Sequence, residues 1–286
     1  MKAIEFTTAD GTVLSGTLFE GDVVPGALPV LIGSALAVNQ RYYAAFAQWL
    51  SDQGRSVMTF DVRGLGASLK PGCSVRNVKG DMLTWAQQDF AAAVRTLCVH
   101  AGANQVNVIG HSLGSHHPAM SLPTTQAQVA KLVSVAAGSG YWREWSAPSR
   151  KLAPLLLHVA VPMLTPLFGY FPGKRLGMVG DLPKGVINQW AGWCRHPDFA
   201  WGAQPELIRP LMLAARYPIS AVSFSDDEAM SVTATEKYLT ALPNAPSTME
   251  LLTPEQMGAK RIGHLGAFRR EMQATLWPYL THLLVN

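Results

Sequence analysis

Gly110-His111-Ser112-Leu113-Gly114 follows directly on the apolar run from Val106 to Ile109, and this GxSxG spacing is a way of presenting a serine hydroxyl for nucleophilic attack. A strand that breaks into a helix at such a turn holds the central residue, Ser112, in a strained position with its hydroxyl pointing outward. Glycine on both sides has a steric reason: a Cβ at Gly110 or Gly114 would collide across the tight turn. A serine hydroxyl is a weak nucleophile at neutral pH. It needs an imidazole to take its proton and a carboxylate to hold that imidazole in the right tautomer. The chain offers Asp226-Asp227 just past an apolar run and His264 ahead of its last helical segment.

These residues need a scaffold, and the hydrophobic pattern supplies one. Residues 3–8 and 12–19 flank Ala9-Asp10-Gly11, an Asp-Gly turn between β-rich runs that predicts an opening hairpin. Residues 29–32 and 56–60 read as buried strands, with an amphipathic helix over 42–53 between them, stopped by Gly54. A helix over 82–97 leads to a strand over 105–109. Strands over 131–136, 219–224 and 248–252 follow, with a helix over 232–242 and a final helix after Gly266. Strands that are apolar throughout and separated by helices need both faces covered, the mark of a mostly parallel sheet with right-handed crossovers.

One stretch breaks this rhythm. Residues 138–209 hold Trp142, Trp145, Trp190, Trp193 and Trp201, five of the eight tryptophans, together with many prolines. An insertion there lies over the carboxyl edge of the sheet, where ligands bind in open α/β folds, and reads as a cap. Within it, residues 152–170 carry no formal charge and approach the length of a bilayer span. Pro154, Pro162 and Pro166 argue against an integral span, each costing about 3 kcal/mol inside a helix.

The 286 residues, 48% of them hydrophobic, suffice for one large core, and a single domain over 1–286 is expected. A net charge of +4 with scattered Lys and Arg gives no stripe for nucleic acid. Cys73, Cys98 and Cys194 form no CxxC or His-paired pattern, so neither a disulfide nor a zinc framework is predicted. Residues 1–8 lack the layout of a secretory signal, and the cytoplasm is the expected compartment. No phosphate-cradling glycine loop or metal set is present in the sequence, so no cofactor is implied. A homodimer is compatible with all of this.

Beyond the elbow, Asp61-Val62-Arg63-Gly64-Leu65-Gly66-Ala67-Ser68 reads DxRGxGxS, and Arg261-Ile262-Gly263-His264 ends in Gly-His. With GHSLG, these motifs make the chain resemble the α/β-hydrolases of the capped serine-hydrolase kind, which include lipase-like esterases and serine aminopeptidase-like proteins. The resemblance covers nearly the whole chain outside the insertion. It implies an eight-stranded, mostly parallel twisted sheet flanked by helices, with a mainly helical cap. It also implies the chain order nucleophile, acid, histidine, here Ser112, Asp227 and His264, with Asp227 favoured over Asp226 by the residues that follow it. Asp226 then reads as a turn residue or a cap on free amides. The oxyanion hole is expected from the Leu113 amide and from a second amide in Gly33-Ser34-Ala35-Leu36-Ala37, with Leu36 the first choice and the register open by one residue.

Other polar residues have structural readings. His111 packs and orients the turn. His116 and His117 line a wall or the core rather than a metal site. Asp81 caps a helix, Asp89 is a satisfied or exposed carboxylate, and Arg63 anchors local backbone. The expected activity is hydrolysis of a carboxylic ester with an apolar acyl or alkyl group through an acyl-enzyme, the apolar cap implying a small-molecule substrate with an apolar part. An amidase, aminopeptidase-like enzyme, thioesterase or perhydrolase would use the same triad. A non-catalytic relative binding a hydrophobic ligand is the reading from outside enzymology.

Overall fold

The computed structural model describes residues 1–178 and 180–285. Ten strands are present among them: β1 (Lys2–Thr7), β2 (Val13–Phe19), β3 (Val30–Gly33), β4 (Val57–Phe60), β5 (Val106–His111), β6 (Val129–Val135), β7 (Tyr170–Phe171), β8 (Leu182–Pro183), β9 (Ile219–Phe224) and β10 (Ser247–Leu252). Eight form one sheet in the order β1-β2-β4-β3-β5-β6-β9-β10, and β7 pairs with β8 apart from it. The first three members are antiparallel neighbours, while β4-β3-β5-β6-β9-β10 run parallel.

Side-chain alternation explains why the central strands are mostly apolar. Leu31 and Val108 pack on the face shared with Val94 and Leu97 of the helix Ala91–Ala101. Their neighbours Val30, Ile32 and Ile109 pack on the other face, against Phe46 and Leu50 of the helix Ala44–Asp52 and Trp277 of the helix Leu276–His282. Residues one apart point to opposite faces, so a sheet covered on both sides favours apolar residues at most positions, the buried exceptions being short polar side chains such as Thr59, Asn107, Ser134 and Ser223.

The predicted hairpin forms, with Gly11 at φ 83° in its turn. The Asp10 carboxylate reaches from that turn to Arg63, at 2.6 Å from Nη1. Arg63 also bonds Asp89, which is fully buried on a π-helical turn, Trp85–Phe90. The Asp89 carboxyl is pushed up to about 6 by burial, against the pull of Arg63. Asp81 caps the helical turn Met82–Thr84 that leads into the π-helical one, through a reciprocal pair with Thr84.

Between β6 and β9 the chain leaves the sheet. A continuous helical stretch, Ser149–Phe168, is followed by the β7-β8 pair and by the helices Lys184–Arg195, Phe199–Ala203 and Pro205–Ala214. A π-helical turn, Leu156–Ala160, falls between Pro154 and Pro162, where the missing N–H groups would otherwise break the ladder. This segment is tied to the body by Met82 N–H on Gln189 Oε1 (2.8 Å), by Lys237 on Glu144 (2.8 Å) and by Ser231 Oγ on the Glu144 carbonyl (2.6 Å).

Candidate active site

β5 is buried along its whole length and delivers Ser112 at its carboxyl end with φ at 51°, a left-handed backbone that a residue with a Cβ adopts only under constraint. A Cβ at Gly110 would lie 2.5 Å from Ser115 Cα, across the turn as expected. Gly114 has a different reason from the one read in the sequence: a Cβ there would strike the backbone of Gly33 at the end of β3, not the other side of its own turn. Two glycines on adjacent strand ends thus permit β3 and the turn that carries Ser112 to touch.

His264, ahead of the last helix as expected, lies within the one-turn helix Gly263–Gly266. Its Nε2 is 3.0 Å from Ser112 Oγ, and its Nδ1 is 3.0 Å from Asp227 Oδ2 and 3.1 Å from Oδ1. A carboxylate only accepts, so Nδ1 carries the proton and Nε2 presents a lone pair to the serine hydroxyl. Asp227 is held in turn by the amides of Ala229 (2.7 Å) and Met230 (2.8 Å).

Asp226, the other candidate acid, does not reach the imidazole. Its carboxylate accepts the amides of Ile262 (2.8 Å) and Gly263 (3.1 Å). Glu228, which the sequence reading missed, accepts the His264 amide at 3.0 Å and pairs with Arg261 at 3.2 Å. Burial of Glu228 opposes its ionisation, but these bonds outweigh that and lower its pKa. Three consecutive acids therefore hold one short segment: two grip its backbone and the middle one faces the ring. Only the run of three carboxylates signalled this in the sequence.

His111 is fully buried and bridges two loops. Its Nε2 lies 2.8 Å from the His264 carbonyl, so that nitrogen donates. Its Nδ1, 2.8 Å from Tyr43 Oη, must then accept from the phenol, which itself accepts the Ala35 amide at 2.9 Å. Burial drives the His111 pKa down to about 3, keeping the ring neutral as this pattern requires. The Ala35 amide is thereby engaged, and Leu36, the next residue of the loop after β3, lines the cavity. Leu113 lies in the first turn after the elbow, where amides lack intrahelical acceptors.

A cavity of about 600 Å³ opens above Ser112 and His264, with Leu36 and Leu113 on its lining. Trp145, Leu152, Leu156, Trp190, Phe199 and Met230 form apolar walls. Trp145 and Trp190 stack at 5.9 Å between ring centroids. His116 also lines the cavity and bonds the Gly138 carbonyl, while His117 packs beside Phe90. Burial lowers their pKa values to about 4 and about 3, so both rings are neutral.

Residues 29–160 match a family model described as the alpha/beta hydrolase fold. The chain has the α/β-hydrolase fold. Among curated proteins none matches it in sequence. Solved structures of this fold match along nearly the whole chain: a thermophilic esterase from Thermogutta terrifontis (TM-score 0.58, 17% identity, 99% of this chain and 100% of that one), Est816, described as an N-acyl homoserine lactone degrading enzyme (0.58, 17%, 98% of both), and the esterase RhEst1 from Rhodococcus sp. ECU1013 (0.56, 16%, 100% and 99%). At these identities the likeness is one of α/β-hydrolase architecture, with Ser112, Asp227 and His264 all beyond carboxyl ends of its strands.

Proposed function

We propose that this α/β-hydrolase is a serine esterase that cleaves carboxylic esters bearing an apolar acyl or alkyl group. The observation that carries the reading is the contact of His264 Nε2 with Ser112 Oγ at 3.0 Å, with Asp227 behind the same ring. Ser112 Oγ attacks the ester carbonyl while His264 takes its proton. The amides of Leu113 and Leu36 receive the developing oxyanion. His264 then protonates the departing alcohol, leaving the acyl group on Ser112. A water molecule, deprotonated by the same imidazole, releases the acid and restores the hydroxyl.

Residues 138–209 act as the cap in this reading. Their tryptophans and leucines supply walls that a small polar substrate would not need, and the cavity falls within the roughly 300–1,000 Å³ usual for small-molecule sites. A panel of p-nitrophenyl esters with matched anilides and thioesters tests the proposal. Esters are expected to turn over fastest, with Ser112→Ala inactive on all. Persistent hydrolysis by Ser112→Ala would overturn the nucleophile, and preference for the anilides would overturn the bond.

A further inference from the structure

The helix Ser149–Phe168 packs on the body through a stripe four residues apart, Ala153, Leu157, Val161 and Thr165, all buried. Its outward face is apolar as well. Leu152 is 63% exposed, Leu155 62%, Val159 43%, Met163 66% and Leu167 73%, a row at spacings of three and four that a helix aligns on one side. Seven of the large hydrophobics most exposed to solvent lie on this helix or just after it, with Leu176 and Met178 completing the group. Solvated apolar surface of this extent marks a contact yet to be made.

Charge says which contact. Residues 145–180 contain Arg150, Lys151, Lys174 and Arg175 and no acidic residue. Four of the chain's 23 Lys and Arg lie in this acid-free stretch, which Asp181 bounds with its carboxylate accepting the Lys174 amide at 3.0 Å. All four are exposed, and among the described residues none is ion-paired. Arg150 and Lys151 stand at the start of the helix, and Arg175 lies over the ring of Phe168 at its end, 5.1 Å from the centroid. An apolar face with cations at both ends suits a helix lying in the plane of an anionic bilayer interface. A second copy would fit poorly, because a self-complementary contact brings the same four cations against themselves.

We propose that this face docks on an anionic lipid surface. Leu152 and Leu155 belong both to the exposed row and to the cavity above Ser112, with Leu176 and Met178 beside them. An apolar substrate dissolved in the lipid can then pass into the cavity without crossing water. The docking is independent of the esterase reading, and only this delivery route rests on it.

Co-sedimentation with vesicles tests the docking, using Ser112→Ala protein so that binding is read apart from catalysis. Vesicles of phosphatidylcholine with a third replaced by phosphatidylglycerol are expected to retain the protein at least about tenfold better than phosphatidylcholine alone. The triple variant V159S/M163S/L167S, whose positions do not line the cavity, is expected to lose binding by about tenfold or more. In a Ser112 background it should hydrolyse a short soluble ester normally, which shows that it folds. R150Q/K151Q/K174Q/R175Q is expected to abolish the preference for anionic vesicles. Absence of vesicle binding, retention of binding by the triple variant, or a dimer in solution that V159S/M163S/L167S dissociates would overturn the proposal.

Discussion

His111 Nε2 lies 2.8 Å from the carbonyl oxygen of His264, so the residue that precedes Ser112 grips the backbone of the histidine that faces it. Through Tyr43 Oη the same ring reaches the Ala35 amide, in the loop proposed to supply the second oxyanion donor. One neutral imidazole thus links the Ser112 turn, the His264 backbone and the loop after β3. His111→Gln is expected to lower kcat on a short p-nitrophenyl ester by about 10- to 100-fold with KM little changed, as befits a small displacement of reacting groups. Tyr43→Phe leaves the Ala35 amide and His111 Nδ1 without partners and is expected to cost about 1–3 kcal/mol in urea denaturation. Unchanged kcat in His111→Gln would remove the positioning role.

Asp227 and Asp226 separate by function although they are adjacent. Asp227→Asn removes the charge behind His264 and is expected to lower kcat by about 10⁴-fold. Asp226→Asn weakens two backbone bonds to Ile262 and Gly263 and is expected to act mainly on stability, by about 1–3 kcal/mol. Steady-state kinetics and chemical denaturation of the two variants side by side check the division. Comparable losses of kcat would contradict it.

Much of the site could be read from residue types because its constraints are local. Gly110, Asp61 and Gly66 each serve a corner whose backbone demands them: a Cβ on Gly66 would run into the Asp61 carboxylate, which accepts the amides of Gln40 and Ala67 at 2.7 and 2.9 Å. The strands were legible for the same reason, since a sheet covered on both faces leaves little choice but apolar residues. Contacts between distant segments were not legible. Tyr43 on His111, Gly114 on Gly33 and Glu228 on the His264 amide depend on how loops meet, and no periodicity encodes that. The helix Ser149–Phe168 misleads in another way. Pattern reading equates apolar with buried, while this helix exposes one apolar face.

The contact between Gly114 and Gly33 predicts that Gly114→Ala displaces the turn carrying Ser112 from β3. Overpacking at such a site costs about 1–3 kcal/mol. The variant is expected to melt lower and to lose most of the proposed hydrolysis of a p-nitrophenyl ester, whereas Gly102→Ala, where a Cβ meets nothing within 4 Å, should lose only stability through its positive φ of 61°. Thermal melts and ester hydrolysis of both variants make the comparison.

Three buried histidines make stability fall in acid. His111, His116 and His117 have pKa values lowered by burial to about 3, 4 and 3, so below their ordinary value near 6.5 the unfolded chain binds protons that the native state refuses. Asp89, raised by burial to about 6, works the other way. Asp61, also raised by burial, acts in the same direction as Asp89, and three groups against two leave the native state short of about one to two protons near pH 5, a slope of about 1–3 kcal/mol per pH unit. Urea midpoints measured from pH 7 to pH 4.5 are expected to fall steeply, and His117→Leu should flatten the slope by about one proton. A flat profile would contradict the neutral, buried state of these rings.

The most direct test of the central claim is the mass of the intact protein after exposure to a fluorophosphonate, with the adduct located by peptide mapping. One phosphonyl group is expected, carried by Ser112, and none on Ser112→Ala or His264→Ala. Labelling elsewhere, or equal labelling of Ser112 without His264, would show that this hydroxyl is not activated by the imidazole beside it.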